Sequence, residues 1–111
     1  MADPPFKEEK MKTLEEIRKD LLQIRFYQKH KAVMDLAIKS VGNNQVLDLV
    51  NKYNSLMTSA PAKLFSIYAF LYIEGYSQEE AAEKLYYSPQ YVQRMNARLL
   101  HFLQDRLKEE A

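Results

Sequence analysis

The chain contains no cysteine and no tryptophan, and only two glycines and four prolines in 111 residues. Without cysteine there is no disulfide framework and no thiolate chemistry. No apolar run approaches the length a membrane-spanning helix needs. The first ten residues, MADPPFKEEK, lack the cationic start, apolar block and small-residue cleavage site of a secretory signal. An intracellular, cytoplasmic protein is expected. An excess of charge of one sign is missing too: 16 Lys and Arg stand against 15 Asp and Glu, a net charge of +1. Global charge therefore does not announce nucleic-acid binding, and such a claim needs a local argument.

Between Gly42, Gly75, Pro4, Pro5, Pro61 and Pro89 lie long stretches of Leu, Lys, Glu, Gln and Ala, which lose little entropy on entering a helix. Apolar residues make up 47% and charged residues 28%, so the chain is globular rather than disordered. The expected class is all-α: a small helical domain with a long N-terminal helix and a C-terminal helix-turn-helix. Its length suits one compact domain, divided into a loose arm over 1–12, a helical and oligomerising region over 13–58, and the helix-turn-helix region over 59–111.

Thr13 and Glu16 form a capping-box pattern. From Leu14 the apolar stripe runs through Ile17, Leu21, Ile24, Tyr27, Met34 and Ile38. This predicts one long amphipathic helix ended by SVGNN, where Gly42 or Asn43 can turn left-handed. Its stripe can pair with a second copy or pack on later helices. A second helix is expected over Gln45–Met57. A third begins near Pro61, with Leu64, Ile67, Tyr68, Leu71 and Tyr72 inward, and ends at Gly75.

The informative stretch is YIEGYSQEEAAEKLYYSPQYVQRM, Tyr72 to Met95. Ser77 and Glu80 make a second capping box opening a short helix whose inner face is Ala81, Ala82 and Leu85. Ser88 is a further N-cap, with Pro89 at the first position of a helix expected to reach about Leu107. Two helices crossing steeply need a small residue at the contact and a branched apolar one to fill the gap. Ala82 and Val92, on either side of Ser88, supply them. The opposite face of the last helix carries Gln90, Tyr91, Gln93, Arg94, Ala97 and Arg98. From Lys84 to Gln104 there is no acid. Gln and Arg can pair with base edges, and Arg also neutralises phosphate. Tyr86 and Tyr87 are expected to pack in or over the turn.

LYIEGYSQEEAAEKLYYSPQYVQRMNARLLHFL resembles the helix-turn-helix of sigma factor region 4 and its phage-encoded relatives, and the layout of the chain resembles ArpU-type and RinA-type phage transcriptional regulators. The specific likeness covers about a third of the chain. It implies base-facing positions at Pro89, Gln90, Tyr91, Gln93 and Arg94, with Ser88 and Arg98 nearer phosphate; Lys84, from the local charge pattern, can join them at phosphate. It departs from the family at Tyr86, where glycine is common, at Ala81, where a branched residue is usual, and at Pro89 and Tyr91, where charged side chains are favoured.

No Gly-rich phosphate loop, nucleophile–base pair or paired catalytic carboxylates stand out, so no enzyme is expected. His30 and His101 lie far apart without a ligand cluster, and neither a metal nor a cofactor is expected. Arg25, Lys29 and Lys31 with His30 can contact phosphate, but a solvated helix face is the preferred reading. The leading expectation is a sequence-specific, double-stranded DNA-binding regulator of transcription, phage- or prophage-encoded. It would act as a homodimer through the N-terminal helix or with a partner such as RNA polymerase. A small terminase subunit, and a protein-binding adaptor that kept the fold without DNA binding, stand as alternatives.

Overall fold

A computed structural model describes residues 12–41 and 45–110. The described chain is all-α: α1 (Leu14–Lys29), α2 (Lys31–Val41), α3 (Gln45–Met57), α4 (Ala62–Tyr68, continued by a π-helical segment Ala69–Ile73), α5 (Gln78–Leu85) and α6 (Pro89–Glu110). Among the described residues no helix is long and apolar enough to cross a membrane.

The capping box of α1 forms in full. The Thr13 hydroxyl accepts from the Glu16 N–H at 3.1 Å, and the Glu16 carboxylate accepts from the Thr13 N–H at 2.9 Å. Ile17, Leu21 and Ile24 then fall on one face and lose all contact with water. They pack against α3, the π-helical segment and α6 in one core. Lys12 is tied down at both ends. Its ammonium pairs with Asp20, and its carbonyl accepts from Gln104 of α6 at 3.0 Å.

The long N-terminal helix expected from Leu14 to Ile38 is instead two helices. The break is at His30 (φ −122°, ψ 33°), whose N–H is shared between the carbonyls of Phe26 and Tyr27. Neither glycine nor proline marks it. Bending here lets the Tyr27 hydroxyl of α1 donate to Asp35 of α2 at 2.6 Å and lets Met34 pack on the edge of the core. A straight helix would carry both away from α1. The expected stop at Gly42 and Asn43 lies outside the described residues.

The third helix ends as expected at Gly75, by way of a π-helical turn in which Glu74 N–H reaches Ala69 O at 2.8 Å. Gly75 has φ +80°, and a Cβ there would meet the stem of Lys29 at 3.1 Å. Its carbonyl accepts from Arg25 at 2.9 Å. Arg25 is therefore half-buried rather than on a solvated face, and its Nε is buried without a partner.

The buried tyrosines place their hydroxyls at polar groups near the surface. Tyr53 donates to Asp20 at 2.6 Å and Tyr68 to Asn54 at 2.6 Å. The Asp35 bond, and then burial, push the Tyr27 hydroxyl up to about 12. Tyr53 and Tyr68 are raised as well, chiefly by burial. A raised folded value means the folded state keeps the proton more tightly, so this stability is intact below pH 10 and fades as pH rises through the folded values. Tyr27→Phe should cost about 1 kcal/mol at neutral pH. It should also speed amide exchange in Val33–Ala37 and reduce the stability lost between pH 10 and 12, as measured by urea unfolding across that range.

Candidate nucleic-acid interface

The α5–turn–α6 unit assembles from local rules. The Ser77 hydroxyl accepts from Glu80 N–H at 3.1 Å and the Glu80 carboxylate accepts from Ser77 N–H at 2.9 Å, a pair that also holds the Glu80 carboxyl below its ordinary value. Ala81 and Ala82 are buried, as is Val92 on α6. Small side chains on α5 allow the close approach that a branched Val92 then fills. The Ser88 hydroxyl accepts from Tyr91 N–H at 3.1 Å and caps α6, with Pro89 at its first position. That hydroxyl's own proton is left to donate.

With Val92, Met95, Leu99 and Leu103 buried, the helical period turns the expected base-reading side chains outward. Lys84, Ser88, Pro89, Gln90, Gln93, Arg94 and Arg98 are all exposed. Tyr91 differs. It is half-buried, meets Tyr87 edge-on with ring centroids 4.7 Å apart, and carries the Arg94 guanidinium 5.7 Å over its ring. Tyr91 thus supports Arg94 rather than standing free beside it. Lys84 likewise lies over a ring, that of Tyr76, at 4.9 Å. Both cations are held over aromatic faces.

Tyr86 adopts the left-handed conformation (φ 62°, ψ 38°), the only non-glycine residue described with positive φ. Tyr87 N–H reaches back to Ala82 O at 2.9 Å, closing the end of α5 in the manner usually served by glycine. The expectation that Tyr86 packs over the turn is not met, for its side chain is 95% exposed.

A second feature adjoins this face. A cleft of about 370 Å³ lies between α1 and α6, with Arg18 and Arg25 on one wall, Gln93 and Asn96 on the other, and Gln78 at its edge. Tyr72, in the π-helical turn, lies at its base and donates to Asn96 at 2.7 Å. Sequence reasoning placed Gln93 on the reading face but missed Arg18, Gln78 and Asn96. The signal available was Arg18, Leu22 and Arg25 at i, i+4 and i+7, one face of one helix. Which helix that face meets is set by tertiary packing. No group of three metal-ligating side chains occurs among the described residues. The exposed His30 ring stacks on Phe26 at 4.3 Å.

The turn yields a direct test. A left-handed L-residue costs about 1–2 kcal/mol, partly offset against glycine by the latter's greater backbone entropy of about 0.5–1 kcal/mol. Tyr86→Gly should raise stability by about 0.5–1 kcal/mol in urea unfolding, whereas Tyr86→Ala, which keeps the strain, should bring no such gain.

No family model, no curated protein and no solved structure matches this chain, so its function is argued from these side chains.

Proposed function

We propose that the protein is a sequence-specific, double-stranded DNA-binding regulator of transcription of the phage or prophage type, working in a bacterial cytoplasm. Its α5–turn–α6 unit serves as a helix-turn-helix. The observation that carries this reading is the exposed face of α6, which holds no acid from Pro89 to Gln104. It bears Gln90, Gln93, Arg94 and Arg98 opposite the buried Val92 stripe. In this reading α6 enters the major groove, with Gln90, Gln93 and Arg94 reaching base edges. Ser88, Arg98 and Lys84 hold phosphates, and Pro89 and Tyr91 shape the end of the helix that enters first. Selection from random duplex DNA at low salt should enrich one motif. The same selection with Gln93 and Arg94 both changed to Ala should lose it, and equal enrichment of the same motif by both proteins refutes the assignment.

One such module contacts few base pairs, so useful affinity calls for a dimer or for a partner such as RNA polymerase. The N-terminal pair of helices favours a second copy. Leu22 and Phe26 on α1 are 49% and 56% exposed, and Val33 on α2 is 70% exposed. Helix α2 has only eleven residues and packs mainly on α1. A helix that short is marginal in water without tertiary support, and a second α1–α2 pair would supply it. Phe26→Glu should lower the sedimenting mass from dimer to monomer and weaken operator binding while leaving the enriched motif unchanged.

A further inference from the structure

The cleft between α1 and α6 holds two guanidinium groups and, among the described residues, no carboxylate on its walls. Arg18 has no hydrogen-bond or ion-pair partner among those residues. Arg25 spends one N–H on the Gly75 carbonyl, and its Nε is buried and unpaired. Seven residues of helix separate them by about 10 Å along α1, with Leu22 between. Arg18, Arg25 and Tyr72 line the same cleft. The facing wall is also rich in donors. The Asn96 oxygen accepts from Tyr72, which leaves its amide N–H groups for a ligand, and Gln78 and Gln93 keep their side-chain amides unengaged.

Two like charges facing a common space repel unless an anion sits between them, and an unpaired buried guanidinium N–H is costly. We propose that this cleft is a phosphate-ester site in which Arg18, Arg25 and the amides of Gln93 and Asn96 together hold a phosphate group. Guanidinium groups suit the task because they pair with phosphate oxygens in a fork. The volume, about 370 Å³, exceeds what a bare phosphate fills and lies at the small end of ligand pockets. It leaves room for the sugar or base attached to that phosphate. The phosphate can come from a free nucleotide or from the backbone of a duplex whose groove holds α6. Gln93 belongs to both the cleft and the reading face, which joins the two. The second source rests on the DNA reading proposed above; the first does not.

The full chain, labelled with ¹⁵N, is titrated with inorganic phosphate, adenosine 5′-monophosphate and, as an uncharged control, adenosine. The expected result is saturable shifts of the Arg18 and Arg25 Nε–H signals and of the Gln93 and Asn96 side-chain amides with the two phosphates, and much weaker ones with adenosine. Arg18→Gln should weaken nucleotide binding about tenfold, the loss of one charged hydrogen-bonding group. Arg18→Lys should recover part of it, and Lys52→Gln, an exposed charge on α3, should have no effect. Because Arg18 is exposed, unfolding curves of these variants should overlay the parent's.

A parallel arm measures duplex affinity against salt. If the backbone supplies the phosphate, Arg18→Gln lowers the salt slope by about one without changing the enriched motif. If Arg18→Gln weakens nucleotide binding but leaves the duplex slope unchanged, the ligand is a free nucleotide. Parent-like behaviour of Arg18→Gln in both arms, or shifts centred on Arg94 and Arg98 instead, overturns the proposal. Equal enrichment of the motif by the parent and the Gln93 and Arg94 double variant is read separately, so the DNA reading can fail while the phosphate site stands.

Discussion

Ile17, Leu21 and Ile24 have no contact with water, and that single stripe of α1 decides where most other elements lie. Each such side chain contributes about 1.5–3 kcal/mol on burial, far more than the Lys12–Asp20 pair near the surface, for which about 0–1 kcal/mol is typical. The stripe shares one core with Tyr53 and Leu56 of α3, Leu71 of the π-helical turn and Leu99 and Leu103 of α6, the elements α1 packs against. α1 is therefore a wall of the domain. Its position beside α6 creates the cleft that Arg18 and Arg25 share with Gln93 of α6.

Eight tyrosines in a chain of this size invite a stacking platform for single-stranded nucleic acid. Burial argues otherwise. Tyr27, Tyr53, Tyr68 and Tyr72 are in the core, and each hydroxyl donates to a carboxylate or side-chain amide, joining two elements. A buried hydroxyl without a partner would cost more than the bond gains, so every one of these tyrosines fixes both a packing position and a polar register. Tyr72 does this at the site itself. It holds Asn96 on α6 from the π-helical turn, so the shape of that turn and the donor pattern of the cleft are one feature.

The parts legible in the sequence are those governed by near neighbours. The two capping boxes, the extent of α3 and the Ser88–Pro89 start of α6 follow from side chains within a turn of each other, as does the burial of Ala82 and Val92. The break at His30 was not legible, because no residue there demands it. The bend is accompanied by the Tyr27–Asp35 bond between the two helices, a tertiary contact that helical period does not reveal. Arg25 was misplaced for the same reason, since its partner Gly75 lies fifty positions away. Of the site, the outward face of α6 followed from helical period alone. The opposing wall on α1 did not, since period tells which residues share a face and not what that face meets. Tyr86 marks the border between the two cases: its left-handed backbone follows from the short turn, but its full exposure depends on how the two helices diverge.

The near-zero net charge, which counts against nucleic-acid binding when taken as a whole, is compatible with it once the acids are located. Glu16 and Glu80 are consumed at helix N-termini as partners of Thr13 and Ser77, where negative charge also suits the helix dipole. Asp20 and Asp35 accept from tyrosines, and Glu109 pairs with Arg106 near the far end of α6. These five acids help build the fold, the others lie outside the segment from Lys84 to Gln104, and that segment is left with cations only. Three cations at the proposed reading face, with two more in the cleft, would neutralise about three to five phosphates and give a salt slope of about −2.7 to −4.5. That is a modest non-specific term. On the DNA reading proposed above, charge alone would not draw the protein to bulk DNA, and base contacts from Gln90, Gln93 and Arg94 with the doubling of the site in a dimer would supply most of the preference for an operator. Such a division favours specificity over raw affinity, the quantity that matters when competing sites are many.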